Sequence, residues 1–174
     1  MSYYYLVASL PMLFFGDPPP FPAATLRERC ANVLRPEDRP LLDAALEGRT
    51  DGAGPFLAEW RAREIQLRNA VARARAARAG VDPAPWLRAH TGYDLATERT
   101  VADAFAKSDP LEREHELDRH RWQTAAELAR ADAFGLAAVL AFAAQLRIAE
   151  RRDALRPEEG LRIADELMEK GAAP

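Results

Sequence analysis

The segment that most constrains the fold is Phe56–Ala79, a run that contains no glycine and no proline. Alanine, the strongest helix former, recurs throughout it. The large apolar residues that recur near one helical face are Leu57, Trp60, Leu67 and Val71. Glu64 interrupts this apolar row. The pattern predicts one long helix that ends at Gly80.

Helix start and stop signals divide the remainder of the chain. The strongest start is Asp109-Pro-Leu-Glu112, because Asp can cap the first N–H groups and proline fits the first helical position. This helix is expected to run to about Ala131. Thr25-Leu-Arg-Glu28 predicts a capping box for a helix that ends near Leu34. Further helices are predicted from Pro36 to Gly48, at Asp82–Trp86, at Leu95–Lys107, from Gly135 to about Leu155, and from Pro157.

The helix after Gly135 is apolar over most of its circumference, which is typical of a central element. The segments 109–131 and 136–155 are expected to pack as an antiparallel pair, because the loop between them is short. The residues expected to be buried in this pair are Trp122, Leu128, Leu140 and Leu146.

The N-terminal segment YYYLVASLPMLFF is apolar but has only about 13 residues, whereas a membrane span needs about 20. It also lacks the positively charged start of a signal peptide. We expect it to form core as an irregular or extended segment, since Tyr3–Leu10 fits a strand about as well as a helix. Gly16–Pro22 is predicted to be a stiff, proline-rich connector. The protein is expected in the cytoplasm, without direct membrane insertion.

The composition is that of a globular protein, with 48% hydrophobic residues, 29% charged residues and a formal net charge of −3. The predicted fold class is all-α, a compact bundle of roughly six to eight helices. A single helical domain is expected over residues 1–174. It comprises the apolar segment and connector (1–24), an N-terminal helical half (25–107) and a C-terminal helical half (108–174).

No catalytic or cofactor site can be recognised in the sequence. Cys30 is the only cysteine, which excludes an internal disulfide and a CxxC motif. Glu112 and His115 form an ExxH pair with Glu116 beside them, but a carboxylate-bridged metal site needs a second such pair, which the sequence lacks. We therefore predict a protein that is not an enzyme and holds no metal or cofactor. A small metal-dependent enzyme built on these three residues is the alternative.

A row of arginines on the Phe56–Ala79 helix is the candidate partner-binding site. Arg61, Arg68 and Arg75 recur every seven residues, and Arg78 follows them. Such a row is either an ordinary solvated face or a surface for an acidic protein partner. Nucleic acid is not predicted as a partner, because the chain is net acidic and no aromatic residues interleave with the arginines.

Three segments resemble a family of bacterial domains of unknown function whose genes lie among V-type ATPase genes. They are the opening YYYLVASLP, the central PLEREHELDRHRW at Pro110–Trp122, and VLAFAAQLRIAER at Val139–Arg151. That family is in turn similar to the C-type socket protein of V/A-type ATPases, which is termed d-type in eukaryotes. The socket protein is the helical component between the central stalk and the membrane rotor ring.

The socket protein has a repeat with an asparagine in an apolar helix, followed by arginine and lysine. Ile65, Asn69 and Arg75 stand at comparable places here, while Gln66 replaces an expected acidic residue, with Glu64 nearby. The resemblance implies a helical fold like that of the socket protein and binding to stalk or rotor-ring subunits. We predict a non-catalytic subunit or assembly factor of a bacterial V/A-type ATPase, peripheral to the inner membrane through that complex. A stand-alone helical adaptor is a further alternative.

Overall fold

The computed structural model describes residues 2–49 and 51–155, and this part of the chain is all-helical. In chain order, its α-helices are α1 (Tyr4–Ser9), α2 (Ala23–Ala31), α3 (Arg39–Glu47), α4 (Pro55–Ala79), α5 (Leu95–Ala106), α6 (Pro110–Ala129) and α7 (Leu136–Asp153). Short 3-10 turns lie at Ala84–Trp86 and Arg130–Asp132. The predicted all-α class is confirmed. The helix predicted from Pro157 lies outside the described residues.

Local sequence signals set the ends of α4 and α6 as predicted. α4 ends where Gly80 adopts the left-handed conformation with φ 67°, which a glycine accepts without steric cost. α6 begins after Asp109, whose carboxylate accepts a hydrogen bond from the Leu111 N–H at 2.9 Å. Pro110 then occupies the first helical turn, where a missing N–H costs nothing.

The predicted capping box at Thr25 is wrong. α2 begins ahead of it, at Ala23, and has no side-chain cap at its own N-terminus. A distant residue supplies the acceptor instead, because Oε1 of Glu150 in α7 accepts a hydrogen bond from the Ala23 N–H at 2.7 Å. The contact with α7 therefore satisfies a free donor of α2 and moves the start of the helix.

The N-terminal segment is part helix and part irregular chain. Residues 10–22, which include the proline-rich connector, form neither helix nor strand. Tyr4–Ser9 is helical and buries Leu6, which differs from the irregular or extended form expected there. Tyr3, just before this helix, is buried and donates its hydroxyl to Oδ2 of Asp38. Its N–H donates to the Phe134 carbonyl at 2.6 Å.

α6 and α7 form the predicted antiparallel pair. Nη2 of Arg152 lies 2.7 Å from Nδ1 of His115, and Nε2 of Gln145 donates to the Trp122 carbonyl at 3.2 Å. Residue numbers thus rise along one helix as they fall along the other. No helix within residues 2–49 and 51–155 has the length and hydrophobicity needed to cross a membrane.

The burial predicted for this helix pair holds for α7 and only partly for α6. Leu140 and Leu146 are buried, at 2% and 0% exposure. Trp122 and Leu128 are only partly buried. The difference follows from position, because α7 packs against α2, α3 and α6, whereas α6 turns part of its surface to solvent.

The core consists of two apolar clusters. The larger packs α1, α2, α3 and the first turn of α4 against α7. The smaller joins the second half of α4 to α5 and to the first half of α6. Along α4 and α6, the residues between the two clusters include polar side chains that are also buried. They are Glu64 and Gln66 on α4, and Asp118, His120 and Thr124 on α6.

Candidate partner-binding site

The arginine row lies on the exposed side of α4. Arg61, Arg68, Arg75 and Arg78 are all exposed residues. Arg61 and Arg75 form no ion pair with any side chain in the described part of the molecule. Two members of the row therefore carry a positive charge that the described residues leave uncompensated.

Arg68 and Arg78 have partners within the molecule. Nε of Arg68 donates to Oε1 of Glu64 at 2.8 Å. The Arg78 guanidinium donates to the Phe105 carbonyl and lies 5.1 Å from the centroid of the Phe105 ring. Because Phe105 is in the last turn of α5, Arg78 satisfies a carbonyl that the helix itself leaves free. Arg61 and Arg75 are thus better placed than these two to meet a partner.

Arg68 and Arg75 line a groove of about 520 Å³ between α4, α6 and the turn at Ala84–Trp86. We call it the arginine groove. The apolar residues that line it are Val71, Ala72, Ala76, Ala79, Val81, Trp86 and Leu117. Trp86 is 58% exposed and Val81 49% exposed. A large exposed indole beside arginine is a combination enriched at the centres of protein interfaces.

Two buried amides of α4 hold one wall of the arginine groove in place. Nδ2 of Asn69 donates to the Arg88 carbonyl at 2.7 Å, and its Oδ1 accepts from the Arg88 N–H at 2.9 Å. Gln66 makes the same pair of hydrogen bonds with the backbone of Asp94, at 2.8 Å and 2.9 Å. Since both amides are satisfied at each end, they fix the loop before α5 against α4. Trp86 lies in that loop.

A buried ion-pair cluster joins α4, α6 and α7 next to the groove. Glu64 is only 9% exposed and accepts hydrogen bonds from Nε of Arg121 at 3.1 Å and from Nε of Arg68 at 2.8 Å. Arg121 also pairs with Asp118 at 3.1 Å. Arg151 of α7 pairs with the same Asp118 carboxylate. The cluster therefore links three helices through charge.

The charges in this cluster stabilise one another. Burial by itself would raise the pKa of Glu64, but the charge and hydrogen bonds of Arg121, together with those of Arg68, hold that pKa below its ordinary value. Burial also disfavours the charge of Arg121, yet the nearby carboxylates, with Glu64 first, raise its pKa above the ordinary value. Glu64 and Arg121 are therefore ionised at neutral pH, and neither is suited to proton transfer there.

The alternative metal site is not assembled. The two ring nitrogens of His115 lie 2.7 Å from Nη2 of Arg152 and 3.1 Å from Nη2 of Arg119. Burial, and then the charges of these two arginines, lower the pKa of His115. Glu116 pairs with Lys107 at 3.0 Å. Across residues 2–49 and 51–155, no group of three or more His, Cys, Asp and Glu side chains is placed to hold a metal ion.

Two features of the site have little signal in the sequence. Glu64 and Arg121 are 57 positions apart, and the only hint of their pairing is a charged residue inside an apolar helical row. Asn69 and Gln66 are ordinary polar residues until the loop that they bind is placed against α4. Both features depend on contacts between distant parts of the chain.

Comparisons of the chain with protein-family models, with curated proteins and with solved structures gave no match. Function must therefore be inferred from the geometry of these surfaces and from the resemblance of the sequence motifs.

Proposed function

We propose that the protein is a non-catalytic subunit or assembly factor of a bacterial V/A-type ATPase, and that it binds another subunit through the arginine groove. The observation that carries the proposal is the pairing of Arg75 with Trp86 in that groove. Arg75 is exposed and has no ion pair among the described residues, and the indole of Trp86 is more than half exposed. The motif resemblance supplies the class of partner, a stalk or rotor-ring subunit.

The groove favours an acidic and partly apolar partner surface. Carboxylates of the partner would face Arg75 and Arg61, and an apolar side chain would cover Trp86. Exposed charges contribute little to folding, typically under about 1 kcal/mol for each pair. Across an interface, the same charges raise the association rate and make binding sensitive to salt. The row therefore has a clearer use in recognition than in stability.

A binding role also agrees with the chemistry of the groove. Its charged side chains are three arginines and Glu114. Glu114 pairs with Arg121 at 3.5 Å and with Arg151 at 3.4 Å. Acid–base catalysis needs a group whose pKa lies near the working pH, and arginine does not provide one.

The experiment is co-purification of tagged variants with the ATPase from native membranes. Arg75→Glu reverses the unpaired charge, and Trp86→Ala removes the exposed indole. Arg99→Glu is the matched control, because Arg99 is an exposed arginine on α5 that does not line the groove. Arg68 is avoided, since its reversal would place a second carboxylate beside the buried Glu64. We expect both groove variants to keep the thermal stability of the wild type.

We expect Arg75→Glu to reduce recovery of ATPase subunits, and Trp86→Ala to weaken binding at least about tenfold. Arg99→Glu should behave as the wild type. Normal recovery with both groove variants would show that the arginine row is only a solvated face. Failure of the wild-type protein to recover any part of the ATPase would favour the stand-alone adaptor.

A further inference from the structure

A second candidate site is a small cleft where the C-terminal end of α3 meets α4, α6 and α7. It has a volume of about 100 Å³. Four guanidinium groups line it, from Arg68, Arg121, Arg147 and Arg151, and Glu64 is the only carboxylate lining it. We call it the four-arginine cleft.

The four-arginine cleft carries one more cation than its neighbouring carboxylates can neutralise. Three of its arginines are paired, and their partners are Glu64, Glu114 and Asp118. Arg147 has neither an ion pair nor a hydrogen bond to any residue that the structure describes. Four arginines against three carboxylates leave a charge of +1.

Packing holds the unpaired Arg147 in position. Its guanidinium lies so close to Gly48 that a Cβ on that glycine would overlap the Cζ atom of Arg147. Gly48 is the left-handed cap of α3, with φ 67°, so the guanidinium lies at the partly negative end of that helix. Burial, and then the charge of Arg151, lower the pKa of Arg147, which indicates a cation that is only partly compensated.

A second donor in the cleft residues is also unsatisfied. Nε of Arg151 is buried without a hydrogen-bond acceptor in the described chain. Buried donors are rarely left without a partner, because each one costs about 1–3 kcal/mol. The excess charge of Arg147 and the free donor of Arg151 are separate observations, and an anion with several acceptor oxygens would answer both.

We propose that the four-arginine cleft binds one oxyanion, a phosphate or carboxylate group, with Arg147 as its principal ligand. Guanidinium groups bind such anions through parallel N–H···O bonds that a lysine or a solvent molecule cannot reproduce. The cleft has room for a small group of this kind but not for a nucleotide. This inference does not depend on the assignment to an ATPase.

The test is titration of the purified protein with sodium phosphate and, separately, with sodium acetate, each against sodium chloride at matched ionic strength. Calorimetry gives the affinity, and the indole N–H resonance of Trp60, which lines the cleft, reports the location by NMR. We expect saturable binding that shifts this resonance. Binding of phosphate in preference to acetate would indicate a phosphate ligand, and the reverse order would indicate a carboxylate.

Arg147→Gln should weaken the binding at least about tenfold, because it removes a charge-assisted hydrogen bond. Arg147→Lys keeps the charge but loses the fork, so its affinity should fall between those of Arg147→Gln and the wild type. Arg99→Gln, which removes an exposed arginine away from the cleft, should bind as the wild type does. Absence of saturable binding by the wild type, or equal binding by wild type and a folded Arg147 variant, would refute the proposal.

Discussion

Replacement of Glu64 by glutamine tests the strength of the buried ion-pair cluster. The substitution keeps the shape of the side chain and removes its charge. Loss of one partner from a buried ion pair typically costs about 3–5 kcal/mol. Arg121 would keep Asp118 at 3.1 Å and Glu114 at 3.5 Å, so its charge would not be left alone. We therefore expect Glu64→Gln to lower the free energy of unfolding by about 2–3 kcal/mol, below the usual range.

The assay is urea denaturation at pH 7, and α4 supplies a matched control. Glu59 pairs with Arg63 at 3.4 Å on the same helix, but its side chain is 52% exposed. Glu59→Gln should therefore cost under about 1 kcal/mol. If Glu64→Gln costs no more than Glu59→Gln, the cluster is as well solvated as the surface, and burial gives it no added strength.

The same comparison has a predicted pH dependence. The pKa of Glu64 in the folded protein lies below its ordinary value of 4.5. Its contribution to stability is therefore fully present above pH 4.5 and is lost as the pH falls through the lower, folded pKa. The difference in unfolding free energy between wild type and Glu64→Gln should be constant between about pH 6 and 8 and should shrink below about pH 4.5.

Two further predictions concern buried residues elsewhere in the bundle. Leu146→Ala should lower the unfolding free energy by about 2–5 kcal/mol in urea denaturation, because Leu146 is fully buried, while Leu155→Ala at a 58% exposed position should change it by under about 0.5 kcal/mol; equal effects would contradict the observed packing. Burial lowers the pKa of His120 below its ordinary 6.5, so stability should fall as the pH drops below 6.5, and His120→Gln should reduce that slope in pH-dependent denaturation. An unchanged slope would mean that His120 is free to protonate in the folded state.

The helices that the sequence predicts well are those whose ends are set by their own residues. Asp109 caps α6 from one position before it, and Gly80 ends α4 with a backbone conformation that suits glycine. Neither end needs a partner from elsewhere in the chain. Periodicity also identifies α7 as central, because a helix that is apolar nearly all round has no face suited to water.

The elements that the sequence predicts poorly are those set by tertiary contacts. α2 begins at Ala23 because Glu150, 127 positions away, accepts the hydrogen bond of its first N–H. α1 is helical in a segment whose composition suits a strand equally well, and no strand exists in the described chain with which it could pair. Local propensity is a weak guide where a distant residue supplies the hydrogen bond or the packing surface.

The candidate site shows the same division. The exposure of the arginine row follows from helical periodicity, since the apolar residues of α4 need the opposite face. Which arginines have internal partners does not follow, because Glu64 pairs Arg68 with a residue of α6 and Phe105 takes up Arg78 from α5. The sequence therefore predicts a charged surface but not which of its charges remain free for a partner.

Arg68 and Arg121 line both the arginine groove and the four-arginine cleft, so these two residues cannot separate the two proposed functions. A change at either one would disturb Glu64 and lower stability before it reported on binding. Arg75 lines only the groove and Arg147 only the cleft, and neither has an ion pair within the described residues. Loss of ATPase binding in Arg75→Glu with normal oxyanion binding, and the converse in Arg147→Gln, would therefore show two independent sites. If each variant impaired both activities, the shared arginines would couple the sites, and by linkage the oxyanion and the partner would change each other's affinity by the same factor.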